Sequence, residues 1–505
     1  MANTSGAIAR ITREIAQVQK NTDLSLAVAV RDSDVRHIRA LIIGPPETPY
    51  EYGFFEFDVK MPKEYPIKSP QVRAITTNGG RTRFNPNIYN EGKVCLSILG
   101  TWRGNPGEEW SSAQGLESVL LSIQSLMSAN PYENEPGFEN YKKDEPNPKA
   151  YVEKIQHETL RIAVIQRLEG LLGITKDDTS DCLHASKRAR IKGVFSPSAD
   201  NKLENEYPNH LSNKPALHHS GSSGSNTPPP EDQDQSLSPD SSVHEYDAEA
   251  TFADLDEAQW DPFADLMKRR FLWYYDTYLR TIEQGIVQHP GGRTQFKRME
   301  FEYPPNSMGG HFNYPQLRTR LMAIKTALDA EQKDWTAQSL RHIKESTQLS
   351  AQLAFQFTQS ALKWNNNSSL EISLPDPANP FLWHLTLFGK PMTNLDGGIF
   401  QLTLAIPPTF PDAQPRVTFQ TAIIHHRVGG TTGIVVYFPK KEGEIAEHLT
   451  AIVESIEDEG ETARFDPRAV VNPEAFELYW GGEEKRKAYG RKLRRSARES
   501  GEEGC

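Results

Sequence analysis

The 505-residue chain is predicted to be α+β, on three observations. Short apolar runs bounded by proline and glycine cluster between His37 and Ile75, with runs of helical spacing on either side. The pattern then recurs. GIFQLTLAIPPTFPDAQPRVTFQT, from Gly398 to Thr421, aligns without gaps on GFFEFDVKMPKEYPIKSPQVRAIT, from Gly53 to Thr76. Between the copies, Ser220 to Ser242 contains one large apolar residue, Leu237, and is predicted to be a disordered linker.

Taken in order, Ile8, Ile11, Ile15 and Val18 recur at helical spacing, with Arg10, Arg13 and Lys20 exposed between them. HIRALII, His37 to Ile43, is a strand stopped by the turn signal Gly44-Pro45-Pro46. Phe54, Phe55, Phe57, Val59 and Met61 mark the next strand. Prolines at 62, 66 and 70 then stiffen a surface turn, since each ring fixes φ and removes a donor. QVRAI follows as a strand, Leu116, Val119, Leu120, Ile123 and Met127 mark a helix buried along one side, and Lys149 to Leu172 is helical, ending near Gly170 and Gly173.

Chemistry concentrates in FNPNIYNEGKVCLSILGTW, Phe84 to Trp102, where Cys95 follows Asn87 by eight residues. A lone cysteine in a reducing compartment is most often a small buried hydrophobe. Here it sits in an irregular loop between ordered flanks, with Pro86 fixing a turn and Asn87 offering an amide donor. No histidine is close in sequence. A thiol without a base beside an amide suits acyl transfer between thioesters, because the attacking amine is already a good nucleophile and the oxyanion needs stabilising.

This constellation resembles the ubiquitin-conjugating enzymes, whose fingerprint is His-Pro-Asn followed eight residues after the Asn by the thioester-forming cysteine. GPPETPYEYGFFEFDVKMPKEYPIKSP (Gly44 to Pro70) and WSSAQGLESVLLSIQSLMSANP (Trp110 to Pro131) extend the resemblance. The GTW insert, IQHETLRIAV, FLWYYDTY and GHFNYPQL resemble the Z-type branch of that family, over roughly residues 1 to 345. The resemblance implies the UBC fold, a four-stranded antiparallel sheet with flanking helices. It also implies that Cys95 carries ubiquitin or a ubiquitin-like protein as a thioester, that Asn87 donates to the oxyanion, and that Glu135 helps position the incoming lysine. Tyr89 and Asn134 are weaker candidates for substrate contact. Arg10 and Arg13 are implied to meet an activating enzyme, and Pro66, Ile67 and Ser112 to lie on the ligase-binding face. Ile67 and Ser112 stand where many members have an aromatic and a proline, which puts a conventional RING-type partner in question. Asn85 departs from the family histidine, a residue usually read as structural, and an asparagine can satisfy the same backbone groups. Substrate proteins and ligases complete the implied partners, with no organic cofactor and no metal.

The expected organisation is a catalytic domain at 1–174, a linker at 175–257, a helical extension at 258–345 and a degenerate UBC-like domain at 346–500. In the second copy, four residues must be dropped after Thr421. Gly433 then matches Gly92, His426 falls on Asn85, and Val436 falls on Cys95, so this copy has no nucleophile. His425 and His426, adjacent on an extended segment, point to opposite faces and make a poor metal site. The aromatic run Phe271 to Tyr275 is expected to pack against the catalytic domain rather than bind a ligand. Basic residues from Lys485 to Arg495 are read as a solvated helix face, with an acidic partner second.

Composition narrows the setting. A net charge of −11 argues against nucleic acid, and Cys95, Cys182 and Cys505 make no disulfide framework. No apolar run of about 18 residues is present, so no membrane span or signal peptide is expected and the protein is placed in the cytoplasm, the nucleus or both. KRARIK, Lys187 to Lys192, is either an import patch or a solvated cluster. The competing functional class is a binding scaffold in which both copies are inert and Cys95 is incidental.

Overall fold

In the computed structural model the described residues are 2–20, 24–104, 107–174, 260–304, 306, 308–345, 347–366, 369–458 and 466–503. The linker, KRARIK, Cys182 and Cys505 lie outside them. The first copy opens with α1 (Ala2–Lys20) and a four-stranded antiparallel sheet, β1 (Leu26–Arg31), β2 (Asp34–Ile43), β3 (Phe54–Lys60) and β4 (Gln71–Ala74), paired in sequence order. β1 is the strand that the pattern reading leaves unassigned. Helices α2 (Leu116–Ser125), α3 (Pro146–Glu158) and α4 (Arg167–Leu172) follow, the last two joined by a π-helical stretch at Thr159–Gln166. α4 stops at Gly173, whose φ of 64° is the left-handed cap that glycine adopts at least cost.

The extension contributes α5 (Ala264–Gln288) and α6 (Tyr314–Lys344). The second copy repeats the plan. α7 (Gln348–Trp364) precedes β5 (Leu370–Ser373), β6 (Leu382–Phe388), β7 (Ile399–Ala405) and β8 (Arg416–Phe419), again antiparallel in sequence order, and α8 (Ile445–Glu457), α9 (Pro473–Trp480) and α10 (Glu483–Glu503) follow. The turn match extends to backbone detail, for Tyr65–Pro66 and Phe410–Pro411 are both cis.

Each sheet buries one face against its own helices. In the first copy Ile38, Ala40, Ile42, Phe55, Phe57 and Val59 pack on Ile11, Ile15, Leu116, Leu120 and Ile123. Ile8 lies outside this core and is exposed, while Ala7 turns inward instead. The first sheet also buries its other face. Leu41, Ile43, Tyr52 and Phe54 join Phe271, Tyr274 and Tyr278 of α5 in a further core, which also takes in Ile434, Val436, Ala469 and Val471 of the second copy. The two copies thus share one apolar interior with the extension. Tyr52 stacks on Tyr274 at 4.0 Å and donates its hydroxyl to the Pro467 carbonyl at 2.7 Å, while Tyr278 donates to the Tyr52 carbonyl. α5 also binds the second copy through Asp265, which accepts from the Arg416 guanidinium and from the Gln414 backbone N–H.

Gly44 and Gly389 hold equivalent places after β2 and β6, each donating its N–H across a tight loop, to the Gly53 and Gly398 carbonyls respectively. A Cβ on Gly44 would lie 1.7 Å from the Tyr50 carbonyl oxygen, and one on Gly389 would lie 1.6 Å from that of Leu395. Gly44→Ala and Gly389→Ala are each expected to destabilise the chain by about 3 kcal/mol, because backbone must move to admit the methyl. Chemical denaturation of the two variants checks this.

Candidate active site

The eight-residue interval between Asn87 and Cys95 is the footprint of a small hairpin. Ile88 bridges Val94, Tyr89 N–H donates to the Lys93 carbonyl, and Gly92 closes the turn at φ 97°. Asn87 and Cys95 therefore face each other across the hairpin base. The Cys95 N–H donates to the Asn87 carbonyl at 2.8 Å, and the Asn87 side chain returns its Nδ2–H to the Cys95 carbonyl at 3.0 Å. The Asn87 amide is thus engaged with the backbone of the cysteine itself, beside the thiol.

Asn85 sits behind this pair, fully buried. Its Nδ2 donates to the Tyr50 hydroxyl at 3.0 Å and to the Leu126 carbonyl at 2.8 Å, and its Oδ1 accepts from Asn87 N–H. Asparagine here satisfies the turn, the hairpin and the end of α2 at once.

Cys95 is 4% exposed, yet it lies outside the core cluster that includes Val94, Ile98 and Leu99, and both Asn87 and Tyr89 beside it are partly exposed. Burial pushes its thiol pKa up, opposed by Lys93, by Arg83 and by the Tyr89 hydroxyl. Alkylation by iodoacetamide is accordingly expected to follow a titration with its midpoint above the ~8.5 of a free cysteine. A pH–rate series on the native chain checks this.

Arg83, which sequence reasoning passed over, joins the cluster together. Its guanidinium is buried, donates to the Pro86 carbonyl and to Glu135 Oε2 at 3.2 Å, and lies 4.5 Å from the centre of the Tyr89 ring. Glu135 is therefore an ion-pair partner within the site. Burial raises its carboxyl pKa and Arg83 partly offsets that rise. Asn134 is turned elsewhere. Its Nδ2 donates to the Leu126 carbonyl that Asn85 also uses, so it holds the loop after α2 instead of facing the thiol.

The candidate partner residues occupy a separate face. Trp110 Nε1 donates to the Pro66 carbonyl, joining the two loops that carry Pro66, Ile67 and Ser112; Ile67 is 76% exposed and Ser112 is also exposed. Arg13 is exposed, whereas Arg10 is tied to Glu14 and to the Gln114 carbonyl at 2.7 Å each. Among the described residues no group of three or more His, Cys, Asp or Glu forms a metal site, and no helix is long and apolar enough to cross a membrane.

The second copy keeps the hairpin backbone and corrects the alignment by one residue. Arg427 N–H donates to His425 Nδ1, as Asn87 N–H donates to Asn85 Oδ1, and Val436 N–H donates to the Arg427 carbonyl. His425, and not His426, stands in Asn85's place, because the turn between Val428 and Val435 is one residue longer than its counterpart. Val436 occupies the cysteine's place, fully buried under the extension.

A family model described as ubiquitin-conjugating enzyme matches residues 10–159 and again 354–458, together just over half of the chain. A relative named ubiquitin-conjugating enzyme E2 Z, from Xenopus tropicalis, is 51% identical over 163 residues, which are 32% of this chain and 51% of that one. The Homo sapiens protein of the same name is 50% identical over 161 residues, 32% of this chain and 44% of that one. The E2 domain of a Toxoplasma gondii ubiquitin conjugating enzyme, a solved structure, is 31% identical over 31% of this chain and 97% of its own, with a TM-score of 0.25. The chain spans about half the length of the curated relatives it matches. With a family match in each copy and the Asn87–Cys95 hairpin in the first, the chain belongs to the ubiquitin-conjugating enzyme family.

Proposed function

We propose that the chain accepts the C-terminus of ubiquitin, or of a ubiquitin-like protein, on Cys95 as a thioester from an activating enzyme. It then passes the acyl group to a lysine amine or to a ligase cysteine. The observation that carries this reading is the hairpin that sets Cys95 against Asn87 with Tyr89, Arg83 and Glu135 alongside. In the transfer, Asn87 releases the Cys95 carbonyl and turns Nδ2 toward the oxyanion that develops one side chain away. Glu135 receives the ammonium of the incoming lysine at a site already polarised by Arg83. Arg13 together with α1 meets the activating enzyme, and Pro66, Ile67 and Ser112 meet the ligase. The exposed Ile67 supplies an aliphatic contact at the centre of that face.

The scaffold reading is favoured by one observation, the near-complete cover over Cys95. Incubation with activating enzyme, ATP and ubiquitin separates the two. The expected result is an adduct that forms on the chain and disappears with dithiothreitol; its absence with each activating enzyme and modifier tried would leave a scaffold.

A further inference from the structure

We propose that Arg83 is a positioning residue for acyl transfer, a staple that holds Glu135 and Tyr89 in register with Cys95; this rests on the conjugating reading above. Three contacts meet on one guanidinium. Its Nη2 bonds the Pro86 carbonyl inside the hairpin's entry turn and Glu135 Oε2 in the loop after α2, and its plane lies over the Tyr89 ring. The hairpin segment 85–89 and the segment 131–135 after α2 are thereby joined by one side chain. A guanidinium suits this task because its fork can serve two acceptors while its face stacks on an aromatic ring.

The extension supports the staple from beneath. Phe301, from the segment between α5 and α6, lies 5.9 Å from the Arg83 guanidinium and packs on Tyr132, Phe138 and Tyr151. Asn306 of the same segment accepts from the Asn90 N–H in the hairpin turn. Arg83 is thus held between the catalytic loop and the extension, with 5% of its surface exposed. Its charge acts on both reacting partners, favouring the ionised carboxylate of Glu135 and the thiolate of Cys95.

In the transfer step the lysine ammonium gives a proton to Glu135 and the freed amine attacks the thioester carbonyl. The C–N bond forms, the C–S bond breaks, and Cys95 leaves as a thiolate that takes up the second proton, shed by the nitrogen as it becomes an amide. The titratable groups facing Glu135 are Arg83, Tyr89 and Tyr151, and those facing Cys95 are Lys93, Arg83, Tyr89 and Glu91.

Arg83→Gln and Arg83→Lys in the full chain test the assignment. Each is charged with activating enzyme, ATP and ubiquitin, the supply is stopped with EDTA, and the adduct is chased with free lysine across pH 6 to 9. Arg83→Gln is expected to charge about 3-fold more slowly than the parent, through a smaller thiolate fraction, and to discharge about 10-fold more slowly at neutral pH. The shortfall should narrow as pH rises, since Glu135 without its cation ionises at higher pH, and Arg83→Lys should recover part of the rate. Independently of any conjugation, the alkylation midpoint of Cys95 should move up in Arg83→Gln. Parental discharge at every pH with an unmoved alkylation midpoint would overturn the assignment while leaving the conjugating reading intact. So would equal loss of charging and discharge in both variants together with a lowered unfolding temperature, the pattern of a purely structural role. A parent chain that takes no adduct overturns both.

Discussion

Cys95→Ser is expected to convert the reductant-sensitive ubiquitin adduct into one that survives dithiothreitol and splits in mild base, and Cys95→Ala to take none. The serine oxygen replaces the thioester by an oxyester, which a thiol reductant does not cleave at a useful rate. The hairpin argues for this outcome at residue 95 alone. The backbone bond from residue 95 N–H to the Asn87 carbonyl and the side-chain bond from Asn87 to the residue 95 carbonyl use no atom beyond Cβ, so both substitutions leave the loop in place. Unfolding temperature should therefore stay near the parent value while charging of Cys95→Ala falls by at least about 100-fold, as for removal of a nucleophile. Electrophoresis with and without reductant reads the result. A reductant-sensitive adduct on Cys95→Ala would move the acceptor to another thiol.

The second large effect is on stability. Lys154 of α3 is fully buried and donates to both oxygens of Glu302 in the extension, at 2.5 and 2.6 Å, and to the Lys297 carbonyl at 3.0 Å. Glu302 is 2% exposed and also accepts from Met299 N–H at 2.9 Å, with Met299, Phe301 and Met308 seated in the first copy's own core. Neither charge has water to turn to. Lys154→Met or Glu302→Leu alone is expected to cost about 3–5 kcal/mol, because each strands the opposite charge in an apolar interior. The double variant should recover most of that loss, since a buried ion pair contributes little beyond two well-packed apolar side chains. Denaturant unfolding of the two single variants and the double variant completes the cycle, and additive losses would show that the two residues act separately.

Much of this was legible in the sequence because turn residues and periodicity are local signals. The glycines and prolines at 53, 62, 66 and 70 recur at 398, 407, 411 and 415, and the structure gives both sets the same strand order and hairpins. Even the difference between the sheets is written in the strands. β2 ends ALII and β3 begins FFEF, runs too apolar for one wet face, and both faces are covered; β6 and β7 alternate, with His384 and Gln401 exposed. What escaped depends on contacts between distant segments. Arg83 two residues before Asn85 looks like any surface cation until Glu135, 52 residues on, and Phe301 of the extension close around it. Lys154 gave no sign within its helix, for its partner lies 148 residues away. Pattern alone sets His426 on Asn85 in place of His425, because a one-residue insertion inside a turn leaves no periodic trace.

The burial of Val436 has an implication for repair. Restoring a thiol there by Val436→Cys would not create a second acceptor, since the side chain is fully buried in the apolar core that the second copy shares with the extension and the first sheet. The duplicate has become a keystone, wedged where a carrier would need an open door, and its loss of chemistry is secured by architecture as well as by one missing sulfur.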